Sequence, residues 1–343
     1  MSNLPPSGEI PRGAIRFNTD SNKPELWDGS QWAEFQLSTP NLGRSVDTQP
    51  GARGCFGGGH NPDGSKSDVI DYINLSSTGD AVDFGNLSQA RSSAAACSSS
   101  TRGLFGGGIS SPSPLTFADT IDFITISSTG NATDFGNLTQ ARDIFAACSS
   151  STRGIFGGGR TSPSSKVDVI DFVTIASTGN AVDFGNLIAT IEGVSACSSS
   201  IRGVWGGGNT INTIQYVTIA STGNATDFGD LAVAREGPTA CSSSTRGVFA
   251  GGDTPTKLNS IEYIQIATLG NAVKFGDLTV ARSFIYACSS STRGVFAGGY
   301  TPTFLNTIDY ITILSTGDAV DFGDLTAIRL SNCSGLSNAH GGL

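Results

Sequence analysis

Arg153-Gly154-Ile155-Phe156-Gly157-Gly158-Gly159, then Val169-Ile170-Asp171-Phe172-Val173-Thr174-Ile175, then Ser177-Thr178-Gly179-Asn180-Ala181-Val182-Asp183-Phe184-Gly185, make one copy of a unit that the chain repeats six times. The Arg-Gly-x-aromatic-(Gly/Ala)-Gly string puts its first Gly at Gly54, Gly103, Gly154, Gly203, Gly247 and Gly294. An alternating apolar segment follows each, around Tyr72, Phe123, Phe172, Tyr216, Tyr263 and Tyr310. A Ser-Thr-Gly turn, varied once to Thr268-Leu269-Gly270, leads to a Phe-Gly pair at Phe84, Phe135, Phe184, Phe228, Phe275 and Phe322. Asp precedes that Phe everywhere except at Lys274. A Leu, usually an Ala-Arg, and a Cys-Ser-Ser-Ser run (Cys333-Ser334-Gly335 after the sixth) close each unit, and successive units lie 44 to 51 residues apart. A period of that length marks one supersecondary unit per repeat.

Each unit holds four β-like runs and no helical period. In the third they are Phe145 to Cys148, Gly154 to Gly157, Ile170 to Ile175 and Ala181 to Phe184. Thr-Gly-Asn between the last two is a hairpin signal, because Gly and Asn tolerate left-handed geometry. Four short antiparallel strands cannot bury both faces alone, so the units must stack. A linear stack would leave apolar sheet faces at its ends; stacking about an axis does not. The expected fold is therefore all-β, a six-bladed β-propeller of four-stranded antiparallel blades.

Composition agrees. Charged residues are 14% and hydrophobic residues 38%, with Gly, Ser and Thr filling the difference, as short strands and tight turns require. No run of eighteen apolar residues exists, and the first residues lack the apolar centre of a signal peptide, so no membrane insertion is expected. A net charge of −9 argues against nucleic acid as a partner.

The double Gly ending the second run (Gly107-Gly108, Gly158-Gly159, Gly251-Gly252, Gly298-Gly299) and the aromatic residue of the third resemble the kelch repeat. The Ala-Arg after the fourth run is similar to the basic residue that opens kelch units. The resemblance covers residues 41 to 343 and implies a propeller used for protein interaction. Kelch units usually carry Trp in the fourth strand, where this chain has Phe six times.

Ring closure is legible too. Leu330-Ser331-Asn332-Cys333-Ser334 repeats the first-strand pattern after the sixth unit, whereas the stretch before the first unit contains Pro50, which lacks a ladder donor. The C-terminal segment is expected to supply the first strand of the first blade.

Residues 1–40 fall outside the repeat and read as a short β-hairpin arm. Gly13-Ala14-Ile15-Arg16-Phe17-Asn18 and Glu25-Leu26-Trp27-Asp28-Gly29 followed by Trp32 resemble a small module of bacteriophage tail-fibre and other virion proteins. That resemblance implies docking to another virion protein, or self-association, through Arg16, Phe17, Trp27 and Trp32. The plainer reading is that the two tryptophans cover part of the ring.

Catalytic chemistry is scarce. The two histidines, His60 and His340, cannot assemble the ligand set of a metal-dependent propeller oxidase, and no cofactor is expected. The Asp-Phe-Gly triplets lack every companion of a kinase site and recur at blade spacing, which makes them structural. Cys97, Cys148, Cys197, Cys241, Cys288 and Cys333 share one register, with Cys55 apart. Equivalent positions on different blades lie too far apart for disulfides, so the thiols read as small buried side chains. Asn131 and Asn224 sit in glycosylation-like strings, but at turns where Asn serves the backbone.

The two faces differ. The turns between first and second strands and between third and fourth share one face and are nearly uniform. Loops between second and third strands open on the other face and differ from unit to unit. Binding concentrates in such loops on rigid scaffolds. The candidates are His60, Phe117, Arg160, Lys257, Tyr300 and Phe304. The expected protein is a non-enzymatic structural or adhesive component of a phage virion, assembled in the host cytoplasm. Its partners would be other virion proteins and a host-surface glycan or protein. The alternatives are a cellular kelch-type scaffold and a secreted glycan-binding propeller.

Overall fold

The computed structural model describes residues 11–18, 23–27, 29–34, 52–61, 63–112, 114–328 and 334–343. The chain divides into two compact units, Met1–Gln49 and Pro50–Leu343.

The larger unit is a β-propeller of six four-stranded antiparallel blades, with no helix among the described residues. Blade 3 shows the pattern, running outward from the axis as Ala146–Ser149, Arg153–Gly157, Val169–Thr174 and Val182–Asn186. Blade 1 takes its inner strand, Ser334–Ser337, from the C-terminal segment, which pairs with Arg53–Gly57. Closure thus occurs where the sequence places it, but in a different register. Leu336, not Cys333, lies opposite Cys55 and fills the place held elsewhere by a register cysteine. The other blades pair an inner Cys with an outer aliphatic residue, as in Cys148 with Ile155. Blade 1 inverts the pair and keeps the combined volume. Cys333 lies outside the described residues.

Contacts between neighbouring blades explain the repeated letters. The Gly of each Arg-Gly string has no room for a side chain, because the preceding blade's inner cysteine occupies that space. A Cβ on Gly154 would lie 2.7 Å from the Cys97 sulfur, and the same holds for Gly203 with Cys148 and Gly247 with Cys197. At Gly103 the intruder is Leu336. The buried aromatic of the second strand packs likewise over a Gly of the preceding blade, as Phe105 over Gly57 and Phe249 over Gly206.

Arg91, Arg142, Arg235 and Arg282, at or just after the end of a fourth strand, are buried. Arg91, Arg142 and Arg282 meet Asp122, Asp171 and Asp309 of the next blade at 2.9, 3.0 and 2.8 Å, and Arg235 meets Glu262. Hydroxyls at Ser88, Thr139 and Thr279 donate to the same carboxylates. Between blades 3 and 4 all three partners change together: Ile191 replaces the Arg, Gln215 the Asp, and the backbone N–H of Ile188 donates to the Gln215 amide oxygen at 2.7 Å. Arg329 holds the remaining register and lies outside the described residues.

Three further rings of contacts run round the molecule. The Arg of each Arg-Gly string stacks on the third-strand aromatic of its own blade, 4.3 to 4.8 Å from ring centroid to guanidinium. Its Nη1 then donates to a carbonyl of the next blade, from Arg53 to Ile126 round to Arg293 to Leu75. The Asn or Asp of each Ser-Thr-Gly turn accepts from the outer strand of the preceding blade. Asn131 accepts from the Asn86 N–H and Asn224 from that of Asn186, both at 3.0 Å, which accounts for these residues structurally.

Around the axis, Ser98, Ser149, Ser198, Ser242, Ser289 and Ser337 form a closed belt. Each hydroxyl donates to the carbonyl of the equivalent serine one blade back, from Ser149 to Ser98 at 2.7 Å through to Ser98 on Ser337 at 2.6 Å. The C-terminal strand is a member of that circle.

The smaller unit is a three-stranded sheet of Ile15–Asn18, Lys23–Trp27 and Trp32–Glu34.

Candidate functional site

In an antiparallel meander the second-to-third loops share an end with the links between blades, and the structure ties the two together. Ser92 bridges Ile109, Asp143 bridges Arg160, Glu236 bridges Asp253 and Ser283 bridges Tyr300. The six loop candidates are half-buried in this lattice rather than freely exposed.

Two groups emerge. The first is polar and spans blades 3 and 4. Arg160 makes a two-point contact with Asp143 at 2.9 and 3.3 Å, and its Nη1 reaches Glu192 at 3.3 Å. Lys166 then joins Glu192 at 3.1 Å to the Asn209 side chain at 2.7 Å. Burial pushes the Asp143 carboxyl up, with Arg160 acting against it. Arg160 is thereby committed to a network. In blade 1 the Lys66 Nζ lies 2.8 Å from His60 Nε2, and burial with the Lys66 charge lowers the His60 pKa to about 4. Phe117 takes a different setting: Arg102–Pro112 and Leu115–Thr125 run on as one long hairpin, so the second-to-third connection expected to be a loop there is largely strand, with Phe117 opposite Ile109.

The second group sits at the junction of blades 5 and 6. Here the loops are not unrelated, as their end residues suggest: both read Thr-Pro-Thr-x-Leu-Asn, at 254–259 and 301–306. Their geometry matches, since Thr254 and Thr301 donate to Thr256 and Thr303, and Leu258 and Leu305 to Gly252 and Gly299. They differ in the cross-strand pair at the base. Blade 5 has Asp253 with Lys257, an ion pair; blade 6 has Tyr300 with Phe304, rings 4.8 Å apart and tilted by 42°. Lys257 Nζ lies 4.9 Å from the Tyr300 ring centroid, so the two pairs join across the seam. The structure thus gathers Lys257, Tyr300 and Phe304 into one patch and leaves His60, Phe117 and Arg160 elsewhere. Asp253, Lys66 and Glu192 were missed as participants; the shared Thr-Pro-Thr string was the available signal for Asp253.

On the opposite face the axis is filled. Inner-strand Ala, Cys and Ser residues line a central cavity of about 60 Å3, and His340 sits over it. Cys97, Cys148, Cys197, Cys241, Cys288 and Cys55 are buried free thiols. Burial raises all of them, Cys55 and Cys197 to about 12, so they stay protonated.

In the N-terminal unit, Arg16 bonds Glu25 through Nη2 at 2.6 Å and lies 4.3 Å from the Trp32 ring centroid. Trp27, only 5% exposed, contacts Trp32 with centroids 5.5 Å apart. Ile15 and Phe17 alternate to the other face and are 67% and 59% exposed. Of the four expected docking residues, Phe17 is the one presented to solvent. Three are committed to internal contacts.

No protein-family model matches the chain. No curated protein sequence matches it either.

Proposed function

We propose that this chain is a non-enzymatic binding protein whose ring engages its partner through the variable-loop face, with the blade 5–6 seam as the main contact. One observation carries the reading: two copies of one loop meet there, and one has exchanged a charge pair for an aromatic pair. Half-buried aromatics held by a neighbouring cation offer large contact area at small entropic cost. The buried arginines and carboxylates are spent on blade–blade pairing, and no group of three His, Cys, Asp or Glu side chains suited to a metal occurs among the described residues. In its finer form the proposal is a structural or adhesive protein of a phage virion, held to the particle through residues 1–40. The fibre-like string of the arm supports this, as does the Ile15 and Phe17 face.

The decisive variant is Tyr300→Asp with Phe304→Lys. It gives blade 6 the pair that blade 5 already accommodates, so the fold is preserved by precedent. Binding of labelled protein to host cells or purified particles should fall at least thirtyfold, since each anchor is worth about 2 kcal/mol. Unchanged binding would remove the seam from the proposal. Deleting residues 1–40 should abolish recovery of the ring in particles while leaving it folded; full incorporation would overturn the virion reading alone.

A further inference from the structure

Residues 338–343 fold back over the axis on the uniform-turn face. Asn338 anchors them to blade 1, accepting from the Arg53 N–H at 2.8 Å and donating to its carbonyl at 3.3 Å. The N–H of Gly341 donates to the Ser242 carbonyl at 3.0 Å. Gly341 and Gly342 lie so close to the carbonyls of Ser243 and Ser149 that neither has space for a Cβ. Between these points His340 is inserted. Its Nε2 is 2.9 Å from the Ser98 carbonyl, which only accepts, so Nε2 carries the proton. Nδ1 accepts from the Gly342 N–H at 3.0 Å. The ring is therefore a neutral imidazole in one defined tautomer, and both nitrogens are used.

We propose that the 338–343 segment is an acid-released plug of the axial cavity, with His340 as the group that releases it. A second proton must go to Nδ1, where it faces the Gly342 N–H donor and cancels the bond that folds the segment onto itself. Among the described residues that line the cavity with His340, no side chain is a carboxylate that could receive the charge. The inner strands against His340 contribute the thiols of Cys97, Cys148, Cys197, Cys241 and Cys288, all neutral, and Arg53, whose backbone N–H holds Asn338, is a cation bonded to the Ile126 carbonyl. Burial accordingly lowers the His340 pKa below its ordinary value of 6.5, against the Ser98 bond, which raises it. The sign follows: the unfolded imidazole binds the proton first, so the plug's contribution is complete above pH 6.5 and is lost as the pH falls below it.

Two histidines make the test direct. In the full chain carrying His60→Gln, the remaining imidazole signal is followed by NMR from pH 8 to 4.5. In parallel, thiol access is measured with 4,4′-dithiodipyridine, which reacts in acid. His340 should titrate below 6.5, and over the same range the thiol reaction should accelerate at least tenfold. His340→Gln, which keeps a donor for Ser98 and cannot be charged, should hold the reaction slow throughout. Titration at or above 6.5, thiol access that does not change with pH, or the same acceleration in His340→Gln would each overturn the proposal. Should His340→Gln fail to fold, the first two readouts on the His60→Gln protein decide it.

Discussion

The seam between blades 2 and 3 and the seam between blades 3 and 4 solve one problem in two ways. The first buries Arg142 against Asp171, both side chains fully inaccessible, with the Thr139 hydroxyl on the same carboxylate. The second has Ile191 in place of the Arg and Gln215 in place of the Asp, and the Ile188 N–H donates to the Gln215 amide oxygen. The backbone bonds around them are shared: the Gly108 and Gly159 N–H groups donate to the carbonyls of Arg142 and Ile191. A charged seam and a neutral one thus support the same geometry. The ion pair is an option of the fold, not a condition for it. Burying charges costs several kcal/mol per ion before attraction repays it, so a neutral seam can be equally stable. Nε and Nη1 of Arg142 have no hydrogen-bond partner, which makes the repayment incomplete.

The comparison breaks most visibly when only one partner is removed. Arg142→Ala leaves Asp171 buried and unpaired and should cost about 3–5 kcal/mol in urea unfolding. A loss under about 1 kcal/mol would mean that water reaches the carboxylate. A second variant asks whether seams depend more on charge or on space. Gly154→Ala drives a methyl into the Cys97 sulfur and should cost about 1–3 kcal/mol, with Cys97→Ala added to it restoring part of the loss. Strict additivity of the two would show that the sulfur and the glycine do not share that volume. The smallest effect sharpens the contrast. Arg142→Ile with Asp171→Gln and Thr139→Ile rewrites the charged seam as the neutral one and should change stability by about 1 kcal/mol or less. A loss as large as that of Arg142→Ala would tie the neutral solution to blades 3 and 4 alone.

Much of this was legible in the sequence, because a repeat broadcasts its strands six times. The blade count, the strand order and the origin of the closing strand all followed from spacing and from Pro50. What the repeat hides is which copy a residue serves. Arg142 looks like the end of one unit and functions in the next. The first Ser of each Ser-Ser-Ser reads as turn material, yet Ser149 belongs to the axial belt and only Ser150 caps the turn, accepting from the Thr152 and Arg153 N–H groups at 3.3 and 3.2 Å. The closing register was misread at Cys333 because residue identity was followed instead of paired volume; Leu336 against Cys55 is the same pair written backwards. At the candidate site, burial was the illegible quantity. Arg160 and His60 stand in loops by sequence but are drawn inward by Asp143 and Lys66, charges that lie far along the chain or across a hairpin.

The closing strand also has a consequence in time. Asn338 and Arg53, which meet at the edge of blade 1, are separated by 285 residues of chain. A ribosome delivers residues 53–57 early and residues 334–337 only after the other five blades have emerged. Throughout that interval the second strand of blade 1 has a bare inner edge, with unpaired N–H and C=O groups open to any extended segment nearby. The serine circle, which counts Ser337 among its six members, cannot close until then. Nascent chains are therefore open arcs with two adhesive edges, and the ring comes into being in a single late event. Protein yield in cells will be governed by what happens to those arcs, more than by the stability of the finished ring.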